Sequence, residues 1–199
     1  VGNGTLTIDG ATIENCNATR GRGVMVHNPS SEFVFKSGEI KGGTQNHGLV
    51  ALLNGSKMTM SGGKIAGGQG NYAYGVHIIG YACVFDMTGG EISGNQQQAV
   101  WVENGTFNFS GGKLYGNAIG ILQNAGTVNM TGGEIYENVS GLEGAGVRLL
   151  GGTFNMSGGK IYNNTSNGTG SGTGGVRADG TFNMTGGEIY GNDGALIGD

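Results

Sequence analysis

The stretch GGTFNMSGGKIYNN, residues 151–164, decides the fold because the chain keeps repeating it: NGTFNFSGGKLYGN at 104–117, AGTVNMTGGEIYEN at 125–138 and DGTFNMTGGEIYGN at 179–192. Each copy carries two apolar positions separated by one polar residue, a glycine corner, and a third apolar position. Aligned on that third position, the copies fall at Ile13, Ile40, Ile65, Ile92, Leu114, Ile135, Ile161 and Ile189, with spacings of 21 to 28 residues. Self-similarity at a period of about 25 residues is the signature of a solenoid.

Seven and five residues before each anchor stand Leu6/Ile8, Phe33/Phe35, Met58/Met60, Phe85/Met87, Phe107/Phe109, Val128/Met130, Phe154/Met156 and Phe182/Met184. This alternation with period two predicts a strand with one buried face. A third alternating segment follows each anchor: Val24/Val26, Leu49/Ala51, Val76/Ile78, Val100/Val102, Ile119/Ile121, Val147/Leu149, Val176/Ala178 and Ala195/Ile197. Three short strands per coil, with one corner absorbing the length variation, predict an all-β, right-handed parallel β-helix of about eight coils in a single domain over residues 1–199. The stack would be roughly 38 Å tall at the usual strand spacing.

Composition fits that plan. The 199 residues include 46 Gly and 1 Pro, too much glycine for an ordinary globular domain, yet the 36% apolar residues sit at fixed places and can fill a continuous corridor. Ten basic and 14 acidic residues give a net charge of −4 with no basic block, which argues against nucleic acid as a partner. No apolar run is long enough for a membrane span, and no signal segment opens the chain.

The GTFNM[ST]GG[KE]IYxN unit resembles the repeats of pectate-lyase-like right-handed β-helix proteins, and more narrowly those of adhesin-like surface proteins of gut bacteria and methanogenic archaea. The resemblance covers nearly the whole chain. It implies a scaffold and an extracellular location, and it specifies architecture far more than activity.

In a parallel coil, aligned columns become physical ladders about 4.8 Å per step. The column before the anchor reads Thr12, Glu39, Lys64, Glu91, Lys113, Glu134, Lys160 and Glu188, alternating in sign from the second coil on. Such alternation sets register by placing opposite charges one above the other. The column three past the anchor reads Asn95, Asn117, Asn138, Asn164 and Asn192, a structural ladder in which amides hydrogen-bond along the stack. Asn108, Asn129, Asn155 and Asn183 form another polar column and also spell N-x-[ST] glycosylation acceptors, of which the chain holds about a dozen. The column after the anchor passes from Glu14, Lys41, Ala66 and Ser93 to Tyr115, Tyr136, Tyr162 and Tyr190. Four tyrosines in register predict an aromatic strip roughly 15 Å long, a contact surface for a glycan, a host surface or a neighbouring protein.

Catalytic signatures are sparse. Of the NTD, DD, HG and RIK segments that polygalacturonase-like enzymes carry, only HG occurs, at His47-Gly48. His27, His47 and His77 lie in different columns and make no metal triad, and nothing in the sequence calls for a cofactor. Cys16 and Cys83 are about three coils, or roughly 14 Å, apart, which predicts two buried free thiols. The terminal stretches VGNGTLTIDG and GNDGALIGD read directly as strand, so the stack is expected to continue through at least one end, covalently or by end-to-end or lateral self-association. The expectation is therefore a non-enzymatic extracellular scaffold, an adhesin stalk or a filament or sheath subunit. The competing reading is a carbohydrate-active lyase or hydrolase.

Overall fold

The computed structural model describes residues 1–16, 22–43, 48–142, 144–168 and 172–194. These residues form a parallel β-solenoid, and every strand pair in it is parallel and joins one coil to the next. The first strands stack in order as Gly4–Ile8, Ser31–Phe35, Lys57–Met60, Val84–Met87, Thr106–Phe109, Thr127–Met130, Thr153–Tyr162 and Thr181–Tyr190. Their second-strand partners, from Thr12–Ile13 to Glu134–Tyr136, belong to the same bent sheet. In the last two coils both strands merge into one ten-residue strand. Third strands make a separate seven-stranded sheet, from Val24–His27 to Val176–Ala178. The last three coils add two-residue strands at the following corner, Val139–Ser140, Thr165–Ser166 and Asp193–Gly194, which the repeat pattern does not announce.

The corridor is apolar except where Gln123, fully buried, stands between Val102 and Leu149. Phe33, Phe35, Met58, Met60, Phe85, Met87, Phe107, Phe109, Val128, Met130 and Phe154 are fully buried, as are the anchors from Ile40 to Ile161. Their transfer from water supplies most of the stabilisation, about 1.5–3 kcal/mol for each large side chain. Stacking continues inside, with the Phe85 and Phe107 rings 4.8 Å apart and 11° from parallel. Met184 and Ile189, in the last described coil, are partly open to solvent.

The glycine corner between first and second strands is needed at Gly133. Its φ of 79° lies in the left-handed region, and a Cβ there would run into the Phe109 ring. Its neighbour Gly132 would meet the Ser110 carbonyl in the coil below.

Register follows the alignment in all but two places. In the second coil Val50 and Leu52, not Leu49 and Ala51, stand above Val24/Val26 and below Val76/Ile78. Residues 49–53 read LVALL, an unbroken apolar run in which period two cannot fix the phase. Leu49 and Ala51 are nonetheless fully buried. In the fifth coil Ile121 and Gln123, not Ile119 and Ile121, stand in line with Val100/Val102 and Val147/Leu149, and Ile119 pairs with Gln98. The pair at Ala195/Ile197 lies outside the described residues, as does His47.

Candidate functional site

The repeat brings its polar and aromatic columns into four ladders. The asparagines at the corner point inward. Asn138 gives its backbone and side-chain N–H groups to Asn164 Oδ1 at 3.1 and 2.8 Å, while its own Oδ1 accepts both from Asn117 at 3.0 and 3.1 Å. The same pattern joins Asn95 to Asn117 and Asn164 to Asn192. At the lower end Gly68 N–H donates to Asn95 Oδ1. The amides of Asn117, Asn138, Asn164 and Asn192 also cap the strand carbonyls of Ile92, Leu114, Ile135 and Ile161. Asn95, Asn117, Asn138 and Asn164 are buried, so these residues hold the corner from within.

The outer asparagine column forms a second ladder. Asn183 donates to Asn155, Asn155 to Asn129 and Asn129 to Asn108, at 2.9–3.0 Å. The run ends on Asp86 Oδ1, 2.7 Å from Asn108 Nδ2, and Lys57 Nζ lies 3.4 Å from the other Asp86 oxygen. A carboxylate suits that place because it only accepts. The amide nitrogens that glycosylation would modify at Asn108, Asn129, Asn155 and Asn183 are thus already engaged with the coil below.

The charge column is in register step by step, rising from Glu39 through Lys64, Glu91, Lys113, Glu134 and Lys160 to Glu188. Lys160 and Glu188 close to 3.4 Å. Lower down, Lys41 reaches Glu39 at 3.3 Å and Glu14 at 3.8 Å. Two of the glutamates bind tyrosine instead. Tyr115 OH donates to Glu91 Oε2 and Tyr162 OH to Glu134 Oε2, both at 2.8 Å. Charge alternation makes the phenol bonds alternate too, since the residue below and beside Tyr136 or Tyr190 is a lysine.

Tyr115, Tyr136, Tyr162 and Tyr190 stack with centroids 5.1, 5.1 and 5.2 Å apart and planes within 8° of parallel. Coplanar rings side by side would keep centroids roughly 6.5 Å apart by van der Waals contact, so these rings lie face over face along the axis. The strip therefore shows solvent its ring edges and hydroxyls. Burial, followed by the Glu134 hydrogen bond, pushes the Tyr162 phenol well above its usual value, and burial likewise raises Tyr136.

Sequence reasoning missed a fifth cluster, on the outer face of the third-strand sheet. His77 stacks on Trp101 at 4.2 Å and 4°, Tyr74 packs edge-on against both, and Glu103 Oε2 lies 3.5 Å from His77 Nε2. Burial raises Tyr74 to about 12 and raises Glu103 as well. Trp101 Nε1 is buried without a hydrogen-bond partner. The available signal was the chain's single Trp at an outward position between Val100 and Val102.

Cys16 and Cys83 form no disulfide; Cys83 is buried as expected, but Cys16 is only half-buried. Among the described residues no group of three or more His, Cys, Asp or Glu is placed to hold a metal ion, and no helix is long and apolar enough to cross a membrane. Two surface concavities flank the ladders. One, of about 400 Å³, is bordered by Gln69, Gln96 and Glu137, and the other, of about 370 Å³, by Lys113, Glu134 and Lys160 over the glycine corners. No family model, curated protein or solved structure matches this chain. The architecture itself is that of a parallel β-solenoid.

Proposed function

We propose that this chain is an extracellular structural scaffold, a stalk or a filament or sheath segment at a cell surface, related to the adhesin-like β-helix proteins its repeat resembles. One observation carries the reading. The polar and aromatic residues that the repeat reiterates bond or stack with their own counterparts in the next coil, as Asn138 does with Asn164 and Tyr136 with Tyr162. A sequence selected for a rigid, regular rod needs that usage; a cleft needs side chains converging on a ligand instead. The outer edge of the tyrosine strip, with its hydroxyls and alternating charges, suits lateral contact with another protein surface, including a second copy, better than stacking against sugar rings.

Two assays test this. An antibody against the chain should label intact cells of the source organism, and labelling only after permeabilisation would contradict a surface location. Incubation with pectins, alginates and host glycans should release nothing. Unsaturated or reducing-end products absent from heat-inactivated controls would overturn the scaffold reading in favour of an enzyme.

A further inference from the structure

The tyrosine column has a property that a merely structural stack does not need. Two of its phenols, Tyr115 and Tyr162, each hold a hydrogen bond of 2.8 Å to a carboxylate oxygen, of Glu91 and Glu134 respectively. Their rings are joined through Tyr136 by face-to-face contacts at 5.1 Å, and Tyr190 extends the stack at 5.2 Å. Removing an electron from a phenol makes its O–H strongly acidic, so oxidation near neutral pH is easiest where a base already accepts that hydrogen. Overlapping rings add a second advantage, because they share the positive charge that oxidation creates. Before oxidation the Tyr162 phenol stays protonated, since burial and the Glu134 bond both raise it.

We propose that the Tyr115–Tyr190 column is a redox site that takes one-electron oxidants, with Glu91 and Glu134 as the proton acceptors. In the step at Tyr162 one electron passes to the oxidant, the phenolic O–H bond breaks, and a new O–H bond forms on Glu134 Oε2. The products are a neutral tyrosyl radical, a protonated Glu134 and the oxidant reduced by one electron. The same balance holds for Tyr115 and Glu91, and Tyr136 lets the hole pass between them. The class of oxidant is an outer-sphere one-electron acceptor or a peroxide-activated haem. Rival sinks lack one element or the other: Tyr81 is 86% exposed but stands outside the stack, and Trp101, although stacked, has no acceptor for its indole N–H.

The test uses the whole chain and photogenerated ruthenium(III) tris-bipyridine as oxidant, with the radical followed by transient absorption and, after freezing, by electron paramagnetic resonance. The wild type should give a tyrosyl signal, and Tyr81→Phe should leave its yield unchanged. Combined Glu91→Gln and Glu134→Gln should slow radical formation on the order of ten-fold by removing the proton acceptors. Circular dichroism establishes that the double variant is folded. An independent readout needs no variant: the wild-type rate should show a solvent deuterium isotope effect and be insensitive to buffer concentration, because the base is internal. A signal lost in Tyr81→Phe, a radical resident on Trp101, unchanged kinetics in the folded glutamine variant, or a rate rising with buffer base would each overturn the proposal.

Discussion

Asn138 donates two hydrogen bonds, from its backbone and from its amide, to one atom of Asn164 in the coil above. Because its own oxygen accepts the matching pair from Asn117, cutting Asn138 back leaves the buried Asn117 backbone N–H without its acceptor and removes the side-chain donor to the Leu114 carbonyl. Asn138→Ala should therefore destabilise the fold by about 2–4 kcal/mol. Asn129→Ala, in the half-exposed outer ladder where water can replace the lost bonds, should cost about 1 kcal/mol or less. Urea unfolding midpoints of the two variants check this, and equal costs would contradict the difference in role.

The charge column makes a separate claim. Lys113 stands between Glu91 and Glu134. Lys113→Glu would stack three carboxylates, and the melting temperature should fall, by the equivalent of about 1 kcal/mol at low salt and less at high salt. An unchanged melting temperature at low salt would count against electrostatic register-setting.

Two glycines with the same backbone twist separate strain from crowding. Gly133 and Gly67 have φ of 79° and 74°, but a Cβ at Gly133 meets the Phe109 ring whereas one at Gly67 meets nothing. Gly67→Ala should cost about 1–2 kcal/mol from the left-handed backbone alone. Gly133→Ala should cost about 2–3 kcal/mol more as the core is overpacked. Thermal or urea denaturation of both variants reads the gap directly.

Alkaline stability follows from the raised phenols. Tyr74 is raised to about 12, and Tyr136 and Tyr162 are also raised. Below a phenol's ordinary value of about 10 both folded and unfolded states keep the proton, so these groups have no effect there. Above it the unfolded chain ionises first, and stability should fall as pH climbs from about 10 towards the raised folded values. Tyr162→Phe should flatten that decline in denaturation midpoint against pH, and an identical decline in the variant would contradict the linkage.

Much of this was legible in the sequence because a parallel coil converts alignment columns into ladders. The first-strand pairs, the anchor column, the charge alternation and the asparagine bonds all follow from one repeat unit with strict internal spacing. Alignment was lost at Leu49–Leu53, where every residue is apolar and alternation carries no information, and at Ile119–Gln123, where a buried Gln123 takes a corridor position that other coils fill with an apolar residue. Ring orientation was not legible for Tyr115–Tyr190, because a column gives the neighbours of a side chain but not its torsion angles. The Trp101 and His77 cluster escaped for the opposite reason: it departs from the repeat, so columns are silent about it, and it assembles by packing of Tyr74 from a corner of variable length.

The central claim is that this solenoid serves as a built element of a cell surface. Cryo-electron tomography of intact cells that make the protein, with the chain located by a gold-labelled antibody, tests it most directly. The account predicts label along rods, fibres or a sheath layer outside the cell. Label confined to dispersed molecules inside the cell, with no surface structure containing the chain, would contradict it.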